Sequence, residues 1–447
     1  MNTNEFMDRL LEEAALSGLT ASEIWLTQGD SFSVRAMDGR IEDYRVSSLR
    51  GLGFRGVWQG RMGYCSTQAF DEEAIGQLIR GVKESAELTE AAEQDEIFPG
   101  EAAYPDYAPP ENDLADVTSE NKLAACLRLE KAVTEADPRV LRAQYPSVTT
   151  GHSSVTLRNS FGLSLHYEDS VWSAGAGAVM DRGGTKVDGW HGLAGHRFSQ
   201  LEPDVIGKEA AKKAANMLDV QPVPSGPCRV VLHRDALRDL LSTFSGIFSA
   251  RNAQNKLSLL GGKEGQAVAA PCVTLMDDPL LPGGWASCPF DAEGSASRAK
   301  AIIEGGVLKT LLHNRKSARI QGCETTGNAC RAGYSSPVGV SPTNLYLKPG
   351  DLSPEELLRG VGEGIVITEV SGLHAGANPV SGDFSLLSKG YTLRHGLREH
   401  GAEQMTLAGN FYELLKSIRQ VANDLDFDGS PIGACTVDAG TLVISSQ

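Results

Sequence analysis

The sequence predicts an α+β fold in two parts, each an antiparallel β-sheet with flanking helices. Three observations carry this. Two-residue hairpin signals recur, as at Asp38-Gly39 and Gln59-Gly60. Helical periodicity lies between runs of such hairpins and does not alternate with single strands, which argues against βαβ units. Glycine is abundant, 49 of 447 residues, which suits a chain with many tight turns.

Taken in order, Phe6, Met7, Leu10, Leu11 and Ala14 recur at helical spacing and Gly18 follows as a stop. SFSVRAMDGRIEDYRV and RGLGFRGVWQGRMGYCST then read as two hairpins. Asp71 caps a helix with Ile75, Leu78, Ile79 and Val82 on one face. Residues 91–120 hold nine acidic residues, no basic ones and four prolines, which predicts a long extended loop or an acidic surface arm. A helix is expected over 119–136. Strands follow in VTLRNS, LSLHYED and WSAGAGAVMD, and a helix in EPDVIGKEAAKKAANMLD. The Pro-rich QPVPSG, from Gln221, is the best boundary. It separates an N-terminal α+β domain, 1–220, from a β-rich α+β domain, 221–447. The second part opens with strand CRVVLH and a helix over 235–248. Short strands with Gly turns follow, as at Gly305-Gly306, then a helix over 410–423 and the strand GTLVISS.

Lys plus Arg is 41 against 57 for Asp plus Glu, a net charge of −16, so generic nucleic-acid binding is excluded. No apolar run approaches the ~20 residues of a membrane helix. MNTNEFMDRLLEEAALSG has no signal-peptide pattern, so a cytoplasmic protein without membrane attachment is expected. The eight cysteines, with no CxxC pair, read as reduced and mostly buried thiols.

Single residues reveal little chemistry. His191 and His196 lie five apart in DGWHGLAGH without the carboxylate base of a zinc hydrolase, and read as loop or strand histidines. His233 has no evident nucleophile partner, and Asp235 reads as a helix N-cap. Cys435, Cys323 and Cys330 sit among small or polar residues that do not mark a lowered pKa. Gly-rich runs lack a phosphate-loop Lys and a dinucleotide fingerprint. Thr326-Gly327-Asn328 and Ser381-Gly382-Asp383 read as tight turns, with substrate binding as the alternative.

Several longer segments together resemble the TldD/PmbA family. They are SVRAMDGRIEDYRVSSLRGLGFRGVWQGRMGYCST in the first part, and ETTGNACRAG, PTNLYLKPGD, GLHAGANPVSGDFS and MTLAGNFYELL in the second. The resemblance spans nearly the whole chain, and the PTNL and NPVSGDFS forms look like the TldE type. It implies a cytosolic, heterodimeric, zinc-dependent peptidase acting on unfolded or short polypeptides. In that pair the TldD-type subunit carries zinc on an HExxxH helix, with a further Cys ligand near the C-terminus.

Aligned by the flanking strand, the HExxxH positions fall on Ser242 (first His), Thr243 (Glu) and Ile247 (second His). Ile cannot ligate a metal and Thr cannot act as a carboxylate base. The family Cys falls near Asp424 to Asp426, where no Cys lies, and Cys435 is too late to replace it. The resemblance therefore implies a subunit with no catalytic residue and no metal of its own. Its degenerate zinc helix would lie at 235–248, and its TldD-type partner would hold the zinc. A homodimer is expected in isolation, since the two subunits resemble each other. The alternatives are a non-enzymatic peptide- or regulator-binding protein of gyrase-modulator type, acting without TldD, and a thiol hydrolase using Cys435 or another cysteine.

Overall fold

The computed structural model describes residues 1–89 and 95–446. The chain begins with α1 (Thr3–Leu16), closed at its start by a capping box between Asn2 and Glu5. Next come β1 (Ala21–Met37), β2 (Arg40–Trp58), β3 (Arg61–Thr67) and α2 (Glu72–Leu88). Both turns sit where the sequence places them. Asp38 and Gly39 have φ of 53° and 73°, and Gln59 and Gly60 have 50° and 76°. Left-handed φ at both positions is what a type I′ hairpin needs. Then follow α3 (Ser119–Ala136), β4 (Arg142–Asn159), β5 (Ser164–Arg182), β6 (Thr185–Gly195) and α4 (Pro203–Ala215). The helix read over 202–219 stops at Ala215, because Val220 bridges to Gly401 instead.

These strands form one antiparallel sheet in the order β3-β2-β1-β4-β5-β6. Strand alternation sends Ile24, Leu26, Phe32 and Val34 to one face, which the four helices cover. Glu23 and Trp25 point to the other face, where Trp25 packs with Leu157, Phe290 and Ala329. β3 pairs β2 only over Leu52–Trp58, so among the described residues β2 from Asp43 to Gly51 is paired on its β1 side alone.

Residues 91–94 of the acidic segment lie outside the described residues. Residues 95–113 have no helix or strand, as expected, but they are not a free arm. Ile97 and Phe98 are buried, and the Tyr104 and Tyr107 hydroxyls donate to the carbonyls of Gly294 (2.7 Å) and Ser287 (3.2 Å). The apolar and aromatic residues between the acids strap the segment down.

The second part runs β7 (Gly226–Leu232), α5 (Arg234–Phe244), α6 (Ala250–Gln254), β8 (Leu275–Asp277), β9 (Lys300–Glu304) and β10 (Val307–Leu308). It continues through α7 (Arg315–Gln321), β11 (Ala329–Cys330), β12 (Gly339–Val340), β13 (Leu345–Leu347), α8 (Pro354–Val361), β14 (Gly364–Ser371) and α9 (Leu373–Gly376). It ends with β15 (Asp383–Arg394), β16 (Leu397–Asn410), α10 (Phe411–Ser417), β17 (Gln420–Val421), β18 (Ile432–Gly433) and β19 (Val437–Ser446). The main sheet has the order β16-β15-β14-β7-β19-β17, and β16 also pairs β19, which closes a ring. α5 lays Leu237, Leu240, Leu241 and Phe244 in the core with Val230, Ile367, Leu386 and Leu407, and the Phe244 and Phe411 rings stack at 4.6 Å.

Three expectations need correction. The helix read over 235–248 is α5 only to Phe244, and Ser245–Phe248 is a 3-10 turn. The Gly246 carbonyl is taken by the Ser249 N–H and the Asn252 side chain, which ends the α-helical pattern. The helix read over 410–423 stops at Ser417, because Gln420 and Val421 leave to pair with β19. Of the cysteines, only Cys126 and Cys435 are buried, and Cys272 and Cys323 are exposed. These two stand in irregular segments that no element covers. No helix among the described residues is long and apolar enough to cross a membrane.

Candidate functional site

Residues three and four apart share one side of a helix. On α5 this rule aligns Asp235, Arg238, Asp239 and Ser242 beside the apolar side. His233, not Asp235, is the N-cap: its Nδ1 accepts from the Asp235 N–H at 3.3 Å. Asp235 instead stands in the first turn, where a carboxylate meets the positive helix end. Arg238 Nη2 donates to Asp235 Oδ1 (3.1 Å) and to Asp428 Oδ2 (3.0 Å). Arg234 Nη2 stands 3.1 Å from Asp426 Oδ2, and its Nη1 donates to the Asp424 carbonyl at 3.3 Å. Lys213 of α4 reaches Asp235 at 3.7 Å. The structure thus brings α5 together with Asp424 and Asp426, in the stretch the sequence singled out separately, and with Asp428 just beyond it.

Burial alone would raise the Asp235 carboxyl. His233 Nδ1 also lies 3.4 Å from Asp235 Oδ2, so once the ring is protonated it gives up its cap role and donates to that carboxylate; this bond and the charges of His233, Lys213 and Arg238 then outweigh burial and hold Asp235 well below the ordinary range. Asp239 and Asp428 behave oppositely. Burial raises both, and the charge of Arg238 only partly offsets it. Neighbouring carboxylates add to the rise, Asp235 and Glu369 for Asp239, and Asp235 and Asp426 for Asp428.

The three motif positions lie in different surroundings. Ser242 is exposed. Thr243 spends its hydroxyl on the Asp239 carbonyl at 2.8 Å. Ile247 is 1% exposed in the core of the second part. One exposed hydroxyl, one committed hydroxyl and a buried alkyl group do not fit a zinc ion. Among the described residues, no three His, Cys, Asp or Glu side chains are grouped to hold a metal.

His191 and His196 do not converge: His191 stands within β6, and His196 lies just past its end at Gly195. His191 lies on the helix side, lowered by burial and by Lys213. His196 stacks on Trp285 at 5.3 Å with Nδ1 3.2 Å from Asp169, whose hydrogen bond raises it. Burial pushes the Cys435 thiol up to about 12 and also raises Cys330. Cys323 Sγ is 3.8 Å from His313 Nε2, yet burial raises the thiol and lowers the imidazole, so both stay neutral.

The two small motifs serve structure. Asn328 Nδ2 donates to Asp277 Oδ2 (2.8 Å), and Lys300 Nζ bridges Asp277 and Asn328 at 3.1 and 3.0 Å. The Thr343 N–H and hydroxyl both donate to Asp277 Oδ1. Gly382, at φ 83°, turns the chain so that Asn410 Nδ2 reaches the Ser381 carbonyl and Asp383.

Sequence reasoning missed a buried ionic cluster between the two parts. Glu23 and Arg55 of the first sheet meet Asp291, Glu293 and Arg331 of the second part. The available signal was a charge inside each apolar run, Glu23 in ASEIWL and Arg55 in GFRGVW. Gly53 belongs to the same contact, since a Cβ there would come within 2.1 Å of the Tyr334 carbonyl.

Family models of the PmbA/TldA metallopeptidase domain 1, central domain and C-terminal domain match residues 23–88, 112–218 and 225–446. The metalloprotease PmbA of Escherichia coli O157:H7 is 24% identical over 433 residues, covering 94% of this chain and 93% of that protein. A Thermotoga maritima protein of solved structure, described as a candidate modulator of a DNA gyrase, superposes with a TM-score of 0.92 at 31% identity, covering 99% of this chain and 100% of that one. TldE from Thermococcus kodakarensis has the same fold, with a TM-score of 0.89 at 20% identity over 99% and 100% of the two chains.

Proposed function

The chain belongs to the PmbA/TldD metallopeptidase family, and on that premise we propose that it is a non-catalytic, TldE-type subunit of a heterodimeric zinc peptidase. The observation that carries this is the state of the motif positions. Ile247 belongs to the core and Thr243 is bonded to its own helix, so neither a second ligand nor a general base stands at those positions. In the family's chemistry a carboxylate activates a zinc-bound water. In this reading the TldD-type partner supplies both zinc and carboxylate, and this chain helps enclose unfolded or short polypeptides.

The test is to mix the chain with its cognate HExxxH partner and assay peptide cleavage with and without chelator. The expected result is activity in the mixture that chelator abolishes, with none from this chain alone. Full activity from this chain by itself overturns the reading. Peptidase activity of the partner with no need of this chain does so too.

A second reading is a binding protein that acts without such a partner. The description of the Thermotoga maritima relative favours it. The net charge of −16 directs that reading to a protein target rather than DNA. A chain that fails to bind the partner but retains a gyrase subunit in a pull-down would support it.

A further inference from the structure

Asp277 ends β8 and Lys300 opens β9, and the two stand directly opposite each other in the sheet. Asn328 immediately precedes β11 and reaches the same point from another loop. Lys300 Nζ donates to Asp277 Oδ2 at 3.1 Å and to Asn328 Oδ1 at 3.0 Å. Asn328 Nδ2 donates to the same Asp277 Oδ2 at 2.8 Å and to the Ser341 carbonyl at 3.2 Å. The Thr326 hydroxyl donates to Asn328 Oδ1 at 2.8 Å. Thr343 holds the other oxygen of Asp277 through its N–H and its hydroxyl. The Asp277 side chain has no exposure, Asn328 is 1% exposed and the Lys300 side chain 11%.

One carboxylate is enough to pair a buried lysine. Here a carboxamide completes a three-way contact. The amine lies against the amide, and a single carboxylate oxygen touches the nitrogen of each. A base shared by nucleophile and leaving group is what acyl transfer requires.

We propose that Lys300 and Asn328 are joined by an isopeptide bond that the folded chain forms by itself. Asp277 takes a proton from Lys300 Nζ, since so dry a site favours the neutral pair over two opposed charges. The free amine attacks Asn328 Cγ and the Nζ–Cγ bond forms. The Thr326 hydroxyl stabilises the negative charge that develops on Oδ1. Asp277 passes its proton to Nδ2, the Cγ–Nδ2 bond breaks, and ammonia leaves. The second proton of Nζ goes to Asp277 and departs with the ammonia as ammonium, so the carboxylate is regenerated. Nothing is oxidised or reduced, and no co-reactant enters. Holding amine and amide in fixed contact is what brings so slow a reaction within reach. The bond closes a ring over residues 300–328, which contains α7 and Cys323. Like a disulfide it restricts the unfolded chain, but reductants do not open it. It is independent of the subunit reading.

The experiment uses the full chain, incubated folded in native buffer and then denatured for intact-mass measurement. Its mass should lie about 17 Da, one ammonia, below the sequence value. Trypsin should release a branched peptide joining residues 299–309 to 320–331, because a crosslinked Lys300 is no longer a cleavage site. Lys300→Arg keeps a cation beside Asp277 but should show its full sequence mass. Asp277→Asn should slow the crosslinking by about a hundredfold or more. The wild-type chain and Lys300→Arg decide the matter even where Asp277→Asn does not fold. A wild-type chain at full sequence mass overturns the proposal. So does the same mass loss with Lys300 still cleaved by trypsin, which would place a succinimide at Asn328 instead, and so does a loss that persists in Lys300→Arg.

Discussion

Arg55 is hydrogen-bonded to Glu23 through both Nε (2.7 Å) and Nη2 (3.1 Å), and neither side chain has any solvent exposure. Arg331, from the second part of the chain, adds a third bond to Glu23 at 2.8 Å. One carboxylate therefore holds two guanidinium groups from two parts of the molecule.

Removing that carboxylate should be costly. Glu23→Gln leaves two buried cations short of a counter-charge, and breaking a buried pair in this way costs about 3–5 kcal/mol. Urea unfolding should show the loss directly. Arg55→Met, which leaves Glu23 to Arg331, should cost less. A Glu23→Gln variant within about 1 kcal/mol of the wild type would contradict the assigned role.

The same cluster makes a pH prediction. Burial raises Glu293, and the charge of Asp291 adds to this against the lowering effect of Arg55. Asp291 accepts N–H bonds from Glu293, Ser295 and Ala329, so Glu293 is where a proton rests more readily. A carboxyl raised in the folded state binds more protons folded than unfolded. Its contribution to stability is therefore present at low pH and declines as pH rises from about 4 towards neutrality. Glu293→Gln should flatten that decline. Melting temperatures of both proteins across this range provide the check, and parallel curves would refute it.

Asp277 organises the second part. It is fully buried and holds Lys300, Asn328 and Thr343. Asp277→Ala strands a lysine and several donors, a loss of about 3 kcal/mol or more. Differential scanning calorimetry should show a large drop in melting temperature. Thr343→Val, which removes one of the donors, should cost about 1 kcal/mol.

Writing the zinc motif back should fail. The variant Ser242→His, Thr243→Glu, Ile247→His supplies the missing atoms, but position 247 points into the core from a 3-10 turn. A buried imidazole there should cost about 2–5 kcal/mol. Metal analysis should find far less than one zinc per chain. A stoichiometric ion would show that the site rearranges more freely than this packing allows.

Much of the fold was legible because its signals are local. Asp38-Gly39, Gln59-Gly60, the Asp71 cap and the spacing of Phe6, Met7 and Leu10 each act within a few residues. The helix ends were less so. Gly246 and Gln420 are decided by partners elsewhere, Asn252 and Asp438. The candidate site was legible only as a resemblance. What α5 does in space depends on Asp428, 190 residues from Arg238, and the Glu23–Arg331 contact spans 308. Hydrophobic periodicity carries no trace of such pairs. The two histidines of DGWHGLAGH are parted because β6 carries His191 and ends at Gly195, before His196, and so Gly-rich a segment announces neither the strand nor its end.

The central pairing of the first sheet sets a timetable for the growing chain. β1 joins β4, yet roughly a hundred residues lie between Met37 and Arg142. At about 5–20 residues per second, β1 waits on the order of 5–20 s on the ribosome before its mate emerges. Throughout that delay one long side of the first hairpin is bare. Gly29, Asp30 and Ser31, poor strand formers in the middle of β1, make that side a weak template for any strand that arrives too early.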